Sequence, residues 1–121
     1  MTASHVSLTL PWPPSTNRYW RYTERGPMLS KAARTYKQQV ARAVREQLGR
    51  MDAIAGPVAV YIELSPPNAR KRDIDNHAGK AVLDGLEHAG VLHDDAQVRE
   101  LHAVMRTHEK TGYCRVEVMA L

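Results

Sequence analysis

Two acidic pairs, Asp73-Ile74-Asp75 and Asp94-Asp95, stand in a chain of 121 residues, and Arg70-Lys71-Arg72 runs directly into the first. Carboxylate oxygens are the hard ligands that Mg²⁺ and Mn²⁺ select, and Mg²⁺ is usually held by one or two carboxylates plus phosphates of its substrate. Lys and Arg are the complementary contacts for a phosphate backbone. In an extended segment residues i and i+2 project to one side, so Asp73 and Asp75 can converge on one cation, with Ile74 turned inward as an anchor. Carboxylates this close resist joint ionisation unless a cation joins them, and a bound divalent ion removes that penalty. Such an ion also lowers the pKa of a bound water and polarises a phosphate. Lys80, placed near the start of the following helix, can neutralise charge on the phosphate or the leaving oxygen. The pattern points to metal-assisted hydrolysis of a phosphodiester. Each piece also has a plainer reading: Asp-x-Asp arises by chance, Asp75 suits a helix cap, and Asp94-Asp95 suits a turn.

The elements that must position these residues are readable from periodicity. His5 to Leu10 alternates with Val6, Leu8 and Leu10 on one face, as a half-buried strand does, and the prolines from Pro11 stop it. A polar, aromatic loop follows, Thr16-Asn17-Arg18-Tyr19-Trp20-Arg21-Tyr22. Ser30 is a good N-cap for a helix running to about Leu48, with Tyr36, Val40, Val44 and Leu48 as the buried stripe and Gly49 ending it. Pro57 to Leu64 reads as a second strand with Val58, Val60, Ile62 and Leu64 pointing one way, broken by Ser65-Pro66-Pro67-Asn68. A second helix is expected to start near Asp75 or Asn76, bury Val82, Leu86 and Ala89, and end at Gly90. Its opposite face would carry His77, Lys80, Asp84 and either Glu87 or His88. Strands over about Val98–Arg106 and Tyr113–Met119 close the chain, with His108 to Gly112 as a hairpin turn. The order β-α-β-α-β-β predicts an α/β (α+β) fold, two main helices packed on a small mixed sheet, in a single domain over residues 1–121.

Composition narrows the partners only mildly. The formal net charge is +4, from 17 Lys and Arg against 13 Asp and Glu, which favours an anionic partner without requiring one. One cysteine, Cys114, rules out an internal disulfide and a Cys-rich zinc site; its strand-like surroundings suit a buried residue better than a nucleophile. The six histidines form no zinc pattern. There is no apolar run of about 20 residues and no evident signal peptide, so a cytoplasmic protein is expected.

Three motifs, taken together, resemble one family. Pro13-Pro14-Ser15-Thr16-Asn17-Arg18-Tyr19-Trp20-Arg21, Arg72-Asp73-Ile74-Asp75-Asn76 and Leu92-His93-Asp94-Asp95-Ala96-Gln97-Val98 match, in order and spacing, the RusA family of Holliday junction resolvases, across nearly the whole chain. The resemblance implies a small homodimeric α/β endonuclease, often phage or prophage encoded, that nicks two opposing strands of a four-way DNA junction symmetrically with Mg²⁺ (or Mn²⁺) in recombination and repair. It assigns the essential, metal-holding aspartates to Asp73, Asp75 and Asp95, and a catalytic lysine to the following helix. In the family pattern that lysine lies four residues after the second aspartate, where this chain has Gly79; Lys80 is one further, which requires an inserted residue among His77-Ala78-Gly79. An irregular first helical turn would absorb it. Arg18, Arg21, Arg70, Lys71 and Arg72 are the candidate DNA contacts, with the first helix as a further surface. Trp12 and Trp20 can stack on exposed bases or pack in the core or a dimer. Two other readings stay open: a nuclease for flaps or forks with the same aspartates, and a branched-DNA-binding protein that has lost catalysis.

Overall fold

The computed structural model describes residues 4–121. Strand β1 (His5–Pro11) is followed by a hairpin of β2 (Trp20–Thr23) and β3 (Gly26–Leu29), helix α1 (Lys31–Leu48), β4 (Val58–Ser65), helix α2 (Lys80–His88), β5 (Val98–Met105) and β6 (Tyr113–Ala120). The main sheet has the order β1-β6-β4-β5, with β4 parallel to β5 and antiparallel to β6. The expected mixed sheet carrying two helices is therefore present. The inward side chains of β1, β4 and β6 form one core with Tyr36, Val40 and Val44 of α1 and with Val82 and Leu86 of α2. Ser30 caps α1 as expected, its Oγ accepting the Ala33 N–H at 3.1 Å. Leu48, the last residue of the stripe, is only half-buried.

Three local expectations need correction. The aromatic loop after β1 is shorter than expected, because Trp20 and its successors pair with Gly26–Leu29 in a separate two-stranded ribbon. This ribbon is mostly solvent-exposed on both sides, so it leaves no alternation in the sequence; the Thr23 hydroxyl, which donates to Gly26 O and accepts from Arg25 N–H, fixes its turn. The segment His108–Gly112 is not a hairpin turn: β5 and β6 flank β4 on opposite sides. The connection instead crosses the end of β4, where Arg106 N–H bonds Leu64 O and Glu109 N–H bonds Pro66 O. A Cβ on Gly112 would lie 2.8 Å from the Pro67 nitrogen, so only glycine fits the crossing. Strand β4, apolar nearly throughout and buried at six of its eight residues, takes the central place that a local hairpin would deny it.

The third correction concerns the start of α2. It begins at Lys80, not near Asp75 or Asn76; residues Ile74–Asn76 form a separate 3₁₀ turn and Gly79 sits at φ 125°, a conformation other residues rarely adopt. His77 is consequently not on the helix face. It is half-buried against Trp12 (ring centroids 4.7 Å apart), with Nδ1 3.1 Å from Pro13 O. Cys114 is buried beside the Tyr36 hydroxyl, and desolvation pushes its thiol up to about 12. It is therefore a packing residue rather than a nucleophile.

Candidate active site

The first acidic pair leaves the sheet on the loop after β4. Asp73 is extended (φ −88°, ψ 133°) while Asp75 lies inside the 3₁₀ turn, so the two are not on one extended segment. Ile74 is 38% exposed and is no inward anchor; the turn rotates it outward. Before them, Asn68 shapes the basic loop by accepting the Arg70 N–H at 3.0 Å. The Arg72 guanidinium is spent on this loop, donating to Asn68 O, Asn68 Oδ1 and Arg70 O and lying 5.5 Å from the Trp12 ring. Arg70 and Lys71 are exposed and keep their charges for a ligand. Together with Arg18, Asp73 and His77 they line a groove of about 840 Å³ floored by Trp12, Pro13 and Pro14. Burial lowers the His77 pKa, and the Arg72 charge adds to this against the opposing Pro13 carbonyl. Arg21 is on β2 and does not line the groove.

Helix α2 presents Lys80, Asp84 and Glu87 at helical spacing. Lys80 Nζ is 3.3 Å from Asp84 Oδ2 and lies 5.7 Å from the centre of the Trp20 ring and 5.9 Å from that of Tyr19. Tyr19, fully buried, donates its hydroxyl to the same Asp84 oxygen, and desolvation followed by that bond raises its pKa well above the usual phenol value. This joins the N-terminal motif to the helix and aims the ammonium. Tyr19→Phe should cost about 1.5–3 kcal/mol, the range for a hydrogen bond to a charged group. Chemical denaturation of the two proteins checks it, and an unchanged midpoint would show the bond to be energetically idle.

The second acidic pair sits on a 3₁₀ turn over Asp95–Gln97. Asp94 caps it, accepting the Ala96 N–H at 2.8 Å, and the Asp95 N–H donates to Glu87 Oε1 at 2.9 Å. Among the described residues, Glu87, Asp94 and Asp95 bring carboxylate oxygens within 4.8 Å of one another. Asp73 and Asp75 stand outside that group. The Asp95 carboxyl has its pKa raised by desolvation first, then by a hydrogen bond to Asp94 and by the charges of Glu87, Asp94 and Asp84. Oxygen-only donors with this much negative charge suit a hard divalent cation.

The profile of the family described as Endodeoxyribonuclease RusA matches residues 11–119, from the end of β1 to the last strand. The chain belongs to the RusA family. Among its RusA relatives, the crossover junction endodeoxyribonuclease RusA of Escherichia coli K12 is 40% identical over 106 residues, 88% of this chain and 87% of that protein. The crossover junction endodeoxyribonuclease of Enterobacteria phage 82 is 39% identical over 112 residues, 93% and 90% of the two chains. A further relative of the same name from Escherichia coli O139:H28 is 35% identical over 115 residues. The matched span contains all three motifs on which the RusA resemblance rested. The sequence places Tyr19 in a candidate DNA-contact loop and Asp84 on the helix face with Lys80, but it assigns neither of them, nor Gln97, a role in orienting the site. Asp84 and Tyr19 could have been suspected only from a polar residue at the inner margin of an amphipathic helix and an aromatic in a polar loop, both weak signals.

Proposed function

We propose that this chain resolves four-way DNA junctions by paired symmetric nicks, using Mg²⁺ or Mn²⁺ held by Asp73, Asp75 and Asp95. Its enzyme class follows from the family: it is an endodeoxyribonuclease. The observation that supports the finer reading is the order of the elements, α2 with Lys80 and Asp84 lying in the chain between the turns that carry the two aspartate pairs. The ion, when bound, supplies an activated water and neutralises charge on the scissile phosphate.

The chain's own residues do the rest. Arg18, Arg70 and Lys71 take the DNA backbone into the groove beside Asp73, Arg21 adds an exposed charge from β2, and Arg72 holds the loop in shape while adding charge. Lys80, aimed by Asp84, stands ready to stabilise negative charge developing on the phosphate or the leaving oxygen. Recognition of this kind reads backbone shape rather than base edges. A homodimer suits the substrate, because a two-fold pair of sites matches the two-fold symmetry of a four-way junction. The domain spans the whole chain, no helix among the described residues is long and apolar enough to cross a membrane, and a DNA-acting role fits the cytoplasm. Homology to a phage enzyme suits a phage or prophage setting, with recombination and repair as the process served.

The test is a synthetic four-way junction with each strand labelled in turn, beside a flap, a fork and linear duplex, with Mg²⁺ and with EDTA. Symmetric nicks in opposing strands of the junction alone, absent with EDTA, are expected. Preferential cutting of flaps or forks would replace this reading with a broader branched-DNA nuclease, and tight junction binding without nicks would make the chain a binding protein.

A further inference from the structure

The turn that carries Asp94 and Asp95 is tied to its surroundings through two side chains, Glu87 of α2 and, with four hydrogen bonds, Gln97. Gln97 donates from Nε2 to Ile54 O at 2.6 Å and to Gly56 O at 2.8 Å. Its Oε1 accepts the His93 N–H at 2.7 Å and the Asp94 N–H at 3.0 Å. Both amide hydrogens and both carbonyl lone pairs are thereby used, which is the full capacity of a glutamine. Only one amide orientation satisfies two carbonyls on one side and two N–H groups on the other.

The anchor at the far end is rigid. Ile54 is buried, its N–H bonds Val91 O at 2.9 Å, and it pairs with Leu92 in a parallel bridge. On the near side, the Asp94 N–H is held by Gln97 and the Asp95 N–H by Glu87. The backbone beneath both carboxylates is therefore fixed by Gln97 and Glu87, neither of which bonds the Asp95 carboxylate itself.

We propose that Gln97 is a positioning residue for metal binding, locking the backbone of the Asp94-Asp95 turn so that the Asp95 carboxylate is presented in one direction. The inference rests on the reading of Asp95 as a metal ligand. Residues that orient ligands from behind typically change metal affinity or activity by about 10–100-fold when removed. A loosened turn weakens the ion's site without touching the basic surface that binds DNA.

The deciding variant is Gln97→Met, close in volume and without hydrogen-bonding capacity. Mn²⁺ binding is measured by calorimetry on the free protein. The Mg²⁺ concentration giving half-maximal cutting of a four-way junction, and junction affinity in EDTA, are measured alongside. The expected result is Mn²⁺ affinity and Mg²⁺ half-saturation both weakened by about 10-fold, junction affinity within twofold of wild type, and most of the cutting rate recovered at saturating Mg²⁺. A defect confined to stability would not produce that recovery. Unchanged Mn²⁺ affinity and Mg²⁺ half-saturation would overturn the proposal. Should Gln97→Met fail to fold, Gln97→Asn decides the matter, since it keeps the charge and the amide but is one methylene too short to reach both sides, and the same shift is expected. Asp95→Asn is run in parallel. Loss of Mn²⁺ binding there with none in the Gln97 variants overturns this inference alone, whereas binding and cutting that survive Asp95→Asn sink the ligand reading itself.

Discussion

Asp75→Asn and Asp95→Asn should each reduce junction cutting by about 1000-fold or more while leaving junction binding at least as tight as wild type. The magnitude is that of removing a group that holds or stabilises charge at the reacting centre. Binding should survive because the contacts that hold the backbone are the exposed Arg70 and Lys71 and the groove-lining Arg18, and neutralising a nearby carboxylate lowers repulsion of phosphate. Folding should survive too. Neither carboxylate is buried in the core, and the Asp94 side chain, not that of Asp95, caps the turn. Single-turnover cutting and gel-shift binding on the same junction separate the two effects. A variant that loses both together would mean that the aspartate shapes the DNA surface rather than the chemistry.

The second large effect lies in the packing that carries the site. Helix α2 has a glycine in its middle, Gly85, which costs about 1 kcal/mol relative to alanine by helix propensity alone. The reason is contact: a Cβ there would lie 2.9 Å from Val40 Cγ2 and 3.2 Å from Val40 Cβ on α1. Val40 is β-branched, fully buried and unable to turn aside. Gly85→Val should therefore destabilise the fold by about 3 kcal/mol through overpacking. Because the same helix carries Lys80, Asp84 and Glu87, cutting should fall with it. Gly85→Ala should also destabilise, and Val40→Ala beside it should recover part of that smaller loss, giving a coupling of about 1 kcal/mol or more in a double-mutant cycle. Additive losses in that cycle would show that the two helices can move apart at little cost.

Much of this was legible before the fold was known, and the reasons differ by element. Strands β1, β4 and β6 and helix α1 announce themselves because each buries one face and so repeats its apolar residues at that period. The β2-β3 ribbon buries neither face and leaves no such trace. The pairing of β5 with β4, rather than with its neighbour β6, is a non-local choice made by the whole sheet. Adjacent strands joined by a glycine-containing turn read as a hairpin, and nothing within His108–Gly112 says otherwise.

The site divides in the same way. The aspartates and the basic loop stand out by type and spacing, and the one-residue shift at Gly79 correctly marked an irregular segment, which proved to be a 3₁₀ turn and a left-handed glycine ahead of α2. The alternation assumed for Asp73-Ile74-Asp75 failed because a turn, not a strand, contains Asp75. The partners that orient the site were not visible, because Tyr19 meets Asp84 across 65 positions and Gln97 meets Ile54 across 43. Contacts of that range are decided by topology.

A crystal structure with Mn²⁺, located by its anomalous signal, tests the central claim most directly. An ion bonded by carboxylate oxygens of Asp73, Asp75 and Asp95, with Lys80 facing the same cleft, is the predicted result. An ion held by Glu87, Asp94 and Asp95, with Asp73 and Asp75 uninvolved, would contradict it and move the chemistry to the far end of α2.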